Sequence, residues 1–346
     1  MEYKGNETSA ENTSFLPNVN MIKCTFRDKN KYTVYSVVYG MVFAIGLVTN
    51  TAALYIFCRL AKKKRVSTAF LMNLAIADLI FILTLPFRIF SYQTETSWPF
   101  LDVACRVSTY LFYMSMYCSI FFLASLGVCR YLVMAGRVKF QNELLYRWAL
   151  ALCFAVWIFI AAGVIIYASF SNGFRIEAGK CFEPAEPSSW ELLYYMNFYA
   201  LVIGFVIPFV ILLICYALMI KHIAQTKTQK RRRDVAMICL VLTVFCICFL
   251  PYHVQRTLHL YYVVYHHDNC ELLITLQKTV VATLCFAVAN SCMDPLLFVF
   301  VGQGFLPMLK TLLRSCCLGF SNGTPISTSA ATDNPENVIT VATTEI

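Results

Sequence analysis

Residues 148–167 read WALALCFAVWIFIAAGVIIY, a stretch without a charged side chain. A helix of about 20 residues crosses the roughly 30 Å of hydrocarbon in a bilayer. Six more runs of this kind accompany it, so that apolar segments fall at 33–58, 67–92, 102–135, 146–168, 192–221, 235–262 and 272–301. In lipid only helices and closed barrels satisfy their own backbone. These runs are far longer than the about 9–11 residues of a barrel strand. The chain is therefore read as all-α, a bundle of seven transmembrane helices. Composition agrees: the 346 residues are 59% hydrophobic and 14% charged, against about 25% charged in soluble domains. A water-soluble enzyme of this length cannot hide so much apolar surface in one core. Disorder, which needs low hydrophobicity, is excluded except at the ends.

The net charge is +9, and its placement sets orientation. Lys and Arg collect in alternate loops: Arg59, Lys62, Lys63, Lys64 and Arg65, then Arg137, Lys139 and Arg147, then Lys221, Lys227, Lys230, Arg231, Arg232 and Arg233. The other loops are poorer, with Arg175, Lys180 and Lys278. Positive loops stay inside, so the N-terminus lies outside and the C-terminus inside, although Lys23, Arg27, Lys29 and Lys31 oppose this sum. The inner basic loops suit anionic lipid or an acidic protein partner; no nucleic-acid partner is read from them. Four regions follow: an outer segment 1–32, the bundle 33–301, a short amphipathic stretch 302–317 and a polar tail 318–346. The outer segment carries glycosylation sequons at Asn6 and Asn12. The tail reads as disordered.

Of 16 cysteines, Cys24, Cys105, Cys181 and Cys270 fall on the outer, oxidising side. They suggest two disulfides, with three pairings open. Cys316 and Cys317 follow the last span and suggest palmitoylation.

Polar groups at mid-membrane are costly and point to function. Asn50, Asp78, Ser119, Asn290, Ser291 and Asp294 fall near the centres of their runs. Two carboxylates in one low-dielectric pocket cannot both ionise freely. They would share a proton or hold a small cation such as sodium; the plainer alternative is a hydrogen-bond network between helices. Toward the outer ends, Arg88 follows Pro86, and Tyr252, His253, Arg256 and His259 follow Pro251. Tyr110, Tyr113 and Tyr117 share one helical face. Two intramembrane guanidiniums ask for an anion, carboxylate or phosphate, with tyrosines supplying rings and hydroxyls. Snorkelling to headgroups explains one arginine less strainedly than two. Pro86, Pro208, Pro251 and Pro295 lie inside spans and should kink them.

These residues, taken in order, resemble the rhodopsin-like (class A) G protein-coupled receptors from about 33 to 317. The matching stretches are Gly46-Leu47-Val48-Thr49-Asn50, Asn73-Leu74-Ala75-Ile76-Ala77-Asp78, Trp98-Pro99-Phe100, Trp157, Pro208 with Tyr216, Cys248-Phe249-Leu250-Pro251 and Asp294-Pro295-Leu296-Leu297-Phe298. The resemblance implies disulfides Cys105–Cys181 and Cys24–Cys270, and an activation set of Ile120, Pro208, Phe245, Phe249, Arg130, Tyr216 and Phe298. Asp294 and Leu85-Pro86-Phe87-Arg88 look like the branch of nucleotide, lysophospholipid and leukotriene receptors. Met116-Tyr117-Cys118-Ser119-Ile120, Lys180-Cys181-Phe182-Glu183-Pro184, Pro251-Tyr252-His253 and Leu276-Gln277-Lys278 look most like cysteinyl leukotriene receptors. The likeness implies a ligand held by Arg88, Tyr113, Tyr117, Tyr252, His253 and Arg256, to which Tyr110 and Gln277 are added. It also implies heterotrimeric G protein and arrestin as partners, calcium mobilisation, a plasma-membrane location and no cofactor beyond a structural sodium ion.

Two departures oppose each other. Cys129-Arg130-Tyr131 lacks the acid that would pair Arg130 at rest, which should favour opening. Phe298 lacks the hydroxyl that would reach toward Tyr216 in the active state. Receptors for extracellular nucleotides or lysophospholipids are the nearest rivals. A transporter or ion pump would show internal repeats, and none is visible. A hydrolase built on Asp78 and Asp294 lacks the glycine-rich surroundings that substrate approach needs.

Overall fold

The computed structural model describes residues 29–60, 65–93, 102–137, 143–170, 187–225, 231–266, 269–301 and 305–319. Four helices come first: α1 (Lys29–Leu60), α2 (Val66–Gln93), α3 (Asp102–Met134) and α4 (Glu143–Phe170). Next are α5 (187–225) and α6 (231–265), each broken by one wide turn, then α7 (Cys270–Val301) and α8 (Phe305–Gly319). Among the described residues seven helices are long and apolar enough to cross a membrane, at the positions the sequence predicts.

The helices outrun the apolar runs. α5 continues to Gln225, and α6 begins inside the basic run at Arg231. Lys, Arg and Gln are good helix formers, so a span need not end where the hydrocarbon does. α3 stops because Gly136 takes a left-handed φ of +68°. There the Gly136 N–H donates to the Val133 carbonyl and the Arg137 N–H to the Leu132 carbonyl, the paired closing bonds of a Schellman end.

The four prolines behave differently from one another. Around Pro86 and Pro295 the helix stays α. Before Pro208 and Pro251 it widens into π turns, Ala200–Val206 and Val244–Phe249. A proline cannot donate to the carbonyl four residues back and crowds it; a wide turn relieves both faults. The wide turns thus accompany two of the four interior prolines, those of α5 and α6.

Polar ties and close approaches fix the packing. Asn50 Nδ2 donates to the Ser291 carbonyl at 2.9 Å, joining α1 to α7. Trp157 Nε1 donates to Asn73 Oδ1 at 3.1 Å, joining α4 to α2. A Cβ on Gly127 would lie 2.6 Å from Leu212 Cδ1, so glycine there lets the Leu212 side chain of α5 lie against the α3 backbone. At the outer end Trp190, Tyr262 and Cys270 pack round Val263 and Leu273.

The described residues up to Leu306 form one compact unit and those from Pro307 a second. In α8, Phe305, Leu309, Leu312 and Leu313 follow a helical period, with Lys310 and Arg314 between them. Cys316 and Cys317 fall on this helix. Asn6, Asn12, Cys24, Cys181 and the tail beyond 319 lie outside the described residues.

Candidate ligand cavity and buried acid pair

Between α3, α4, α5 and α6 lies an open cavity with about 830 Å³ of space free of protein atoms, part of it open to the outside. Tyr110, Tyr113 and Tyr117 supply the α3 wall, Phe159, Ile160, Gly163 and Val164 the α4 wall. The α5 wall runs from Leu193 to Gly204, and Arg256 comes from α6. α4 packs on α2 and α3, and the α4 and α5 walls of the cavity include the exposed Phe159 and Tyr199. A Cβ on Gly163 would meet nothing within 4 Å. A Cβ on Gly204 would stand 2.7 Å from the Tyr117 ring, so glycine lets that ring lie against the α5 backbone.

Arg256 is the cationic point of this wall. Its Nη1 donates to the Tyr113 hydroxyl at 2.8 Å and to the Tyr252 hydroxyl. The guanidinium also lies 4.9 Å from the Tyr113 ring centroid and 5.7 Å from that of Tyr252. Among the described residues no carboxylate pairs with it. Arg88, only 4% exposed, stacks 3.7 Å from the Phe112 centroid and 6.0 Å from that of Tyr113. Both arginines therefore turn inward and share Tyr113, but only Arg256 lines the cavity.

The other expected ligand residues divide. Tyr110, Tyr113 and Tyr117 line the cavity. Tyr252 and His253 are buried beside Arg256 and are not lining residues. His253 stacks 4.6 Å from Phe205, faces Tyr117 at 5.9 Å, and its Nε2 has no hydrogen-bond partner among the described residues. Gln277 is half-buried on α7, away from the lining set. His259 sits edge-on to Trp190 at 6.4 Å. Sequence reasoning missed Asn197, Thr257 and the α4 wall. Asn197 and Thr257 are polar residues inside apolar runs, the signal that marked Asp78, and it would have found them.

Three adjacent residues tie α6 to three helices. Gln255 pairs through its side-chain amide with Thr279 Oγ1 of α7 at 3.1 Å, Arg256 donates to Tyr113 of α3, and Thr257 Oγ1 accepts from Asn197 of α5 at 2.8 Å. Inward of them runs a column of rings. His253 lies on Phe205; Phe205 and Phe209 stack on Phe245 at 6.2 and 5.7 Å; Phe245 meets Phe249 at 5.6 Å. Ile120 and Pro208 are buried on α3 and α5.

At mid-bundle, Asp78 and Asp294 are buried with their carboxyl groups within hydrogen-bonding reach of each other. Ser119 Oγ donates to Asp78 at 3.4 Å, and Asn290 Nδ2 to Asp294 at 3.0 Å. Asp78 Oδ2, Asp294 Oδ1, Asn290 Oδ1 and Asn50 Oδ1 accept no hydrogen bond from a donor among the described residues. Asp78, Ser119, Asn290 and Ser291 line a small void there. An all-oxygen donor set with unmet acceptors fits a hard cation or a shared proton. No cluster of three or more His, Cys, Asp or Glu suited to a metal ion occurs among the described residues.

At the inner end the expectation of a partner-free Arg130 needs correction. Its side chain is 9% exposed and within electrostatic range of Tyr216 and Cys129. α3 runs one turn past it, and Tyr216 comes to 3.5 Å from the Cβ position of Gly127, so the guanidinium is enclosed. Phe298 is fully buried, edge-on to Phe57 at 5.0 Å, and Phe305 completes the cluster. Cys105 and Cys270, at the outer starts of α3 and α7, are each disulfide-bonded; the expected partners Cys181 and Cys24 lie outside the described residues.

Residues 49–298 match the family described as 7 transmembrane receptor (rhodopsin family). The chain belongs to that family. It is a G protein-coupled receptor, not an enzyme, and a multi-pass protein of the plasma membrane. The receptor is similar to cysteinyl leukotriene receptor 1 of Sus scrofa, with 34% identity over 298 residues, 83% of this chain and 86% of that one. It is 35% identical over 310 residues to cysteinyl leukotriene receptor 2 of Sus scrofa, covering 88% of each. It is 33% identical over 305 residues to lysophosphatidic acid receptor 6 of Homo sapiens, covering 85% and 88%.

Proposed function

We propose that the receptor is activated by an anionic lipid mediator, with a cysteinyl leukotriene as first candidate. On this reading it signals through a heterotrimeric G protein that raises calcium, with arrestin as a later partner. One observation carries the reading: Arg256, without a carboxylate partner among the described residues, lines an aromatic and aliphatic cavity. An acid at Arg256 would gain a charge-assisted pair, while its chain would lie along Phe159, Val164 and Ile203 and reach the cavity from the bilayer between α4 and α5. Tyr110, Tyr113 and Tyr117 shape the pocket. Arg88, Tyr252 and His253 hold Arg256 and Tyr113 in position, and Gln277 is the outermost of the ligand set.

Binding shifts the resting and active populations by the ligand's differential affinity; a tenfold difference is worth about 1.4 kcal/mol. An anion that draws Arg256 toward the cavity loosens its bonds to Tyr113 and Tyr252. The ring column from His253 to Phe249 then repacks, and α6 pivots at the wide turn before Pro251. The inner ends of α5 and α6 part, exposing Arg130 and the basic third inner loop to the G protein. In the resting bundle Asp78, Asp294, Ser119, Asn290 and Asn50 hold a sodium ion or a shared proton. We also assign glycan acceptors to Asn6 and Asn12, acyl groups to Cys316 and Cys317, and disulfides to Cys105–Cys181 and Cys24–Cys270.

A lysophospholipid is the second reading, supported by similarity to lysophosphatidic acid receptor 6 at the same level of identity and by the match of guanidinium to phosphate. The deciding experiment applies cysteinyl leukotrienes, lysophosphatidic acid and extracellular nucleotides to cells expressing the receptor and records calcium. A response to leukotrienes at the lowest concentration is expected. Silence toward both lipid classes would overturn the proposal.

A further inference from the structure

Asn197 is the second strongly polar group of the cavity wall, and its amide has a determined orientation. Thr257 Oγ1 lies 2.8 Å from the His253 carbonyl oxygen. That oxygen can only accept, so the threonine proton is committed to it. Thr257 Oγ1 is left as an acceptor toward Asn197, 2.8 Å away, and the group facing it must be the amide nitrogen. The usual ambiguity between amide N and O is thereby removed by the neighbour's chemistry.

The consequence falls on the amide oxygen. Asn197 is 5% exposed and lines the cavity. Its Oδ1 accepts no hydrogen bond from the described residues. Unlike Asn50 Oδ1 and Asn290 Oδ1, it is not sealed within the protein, and its residue borders the cavity. A buried amide oxygen left without a donor is costly, and a bound lipid that displaces water from this wall must supply one. Arg256 and Tyr113 present donors to the same space; Asn197 Oδ1 is an acceptor there.

We infer that Asn197 is a specificity contact that selects anionic lipids bearing a hydroxyl donor over lipids of equal length without one. The inference rests on the anionic-lipid reading and narrows its ligand class. The anion lies at Arg256 and the hydroxyl at Asn197, one residue further along α6 through Thr257, which places the hydroxyl near the acid end of the chain.

The test uses the full receptor in lipid nanodiscs and measures binding of stearate and of monohydroxystearates differing in hydroxyl position. Wild type should bind one positional isomer about tenfold more tightly than stearate, the worth of one hydrogen bond. In Asn197→Ala that ratio should fall to about one. Asn197→Asp, nearly isosteric and still an acceptor, should keep the ratio while weakening both acids by charge repulsion. A ratio of one at every position in wild type, or a ratio that survives Asn197→Ala, would overturn the inference. So would equal weakening of stearate and its hydroxy derivative by Asn197→Ala and by Thr257→Val, the mark of a merely structural tie. If stearate binds Arg256→Ala as tightly as wild type, the anionic-lipid reading itself falls, a result distinct from the others.

Discussion

The outer and middle levels of the bundle bury charge of opposite sign. Outside, Arg256 and Arg88 are held by phenol oxygens and ring faces. Ten or so side chains inward, Asp78 and Asp294 are held by a hydroxyl and an amide. A guanidinium spreads its charge over a plane and is content against aromatic faces. A carboxylate concentrates its charge on two oxygens and needs a donor or cation for each lone pair. The outer level is thus made to exchange soft contacts for a bound anion, and the middle level to close on something small and positive. A ligand at one level alters the field felt at the other, so the two should be tested together.

Breaking the outer level should have the largest effect. Arg256→Ala is expected to raise the concentration of anionic lipid needed for a calcium response about a hundredfold, roughly 3 kcal/mol, the cost of stranding one partner of a buried charged pair. Arg256→Lys should recover part of it, because the charge stays but the planar fork is lost. Surface expression measured beside the response separates this from misfolding.

The middle level is broken by Asp78→Asn. Agonist affinity of wild type should fall as sodium replaces choline in the buffer, and the variant should lose about tenfold of that sensitivity. Equal sodium sensitivity in both proteins would remove the cation from the comparison and leave the shared proton.

A third level sharpens the contrast. Phe298 is fully buried against the rings of Phe57 and Phe305. In Phe298→Tyr the new hydroxyl is buried at rest without a partner, at about 1 kcal/mol, and gains Tyr216 as a neighbour on opening. Basal signalling should rise about fivefold in an agonist-free assay. The smallest effect is a control. Trp157→Phe removes the hydrogen bond to Asn73, touches neither charged level, and should lower thermal stability of the purified receptor by about 1 kcal/mol with agonist potency intact.

The seven spans were legible because hydrocarbon thickness imposes one length on every crossing, and a run such as 148–167 allows no other reading. The charged levels were legible as residue types at depths: Arg256, Arg88, Asp78 and Asp294 stand out in apolar surroundings whatever their neighbours. Which groups meet was not, because that depends on helix rotation. Arg88 turning onto Phe112 rather than to the cavity, and Gln277 lying apart from it, follow from the facing of α2 and α7, which spacing within one helix does not report. The enclosure of Arg130 likewise depends on how closely α5 passes Gly127. Pro208 and Pro251 marked where α5 and α6 depart from α geometry, but the same residue at 86 and 295 leaves the helix regular, so proline alone does not distinguish a wide turn from a tolerated one.

The wide turn at Ala200–Val206 has an angular consequence. Each residue of an α-helix advances about 100°, so an extra residue accommodated in one turn rephases everything beyond it by that amount. Asn197, Met196 and Leu193 face inward in part because this dislocation lies between them and Pro208. Deleting one residue from 200–206 would let an ordinary helix form, swing the outer third of α5 by about a quarter-turn, and carry Asn197 out toward lipid while Tyr216 kept its place. The receptor's choice of ligand and its grip on the inner machinery are, along this one helix, separately adjustable.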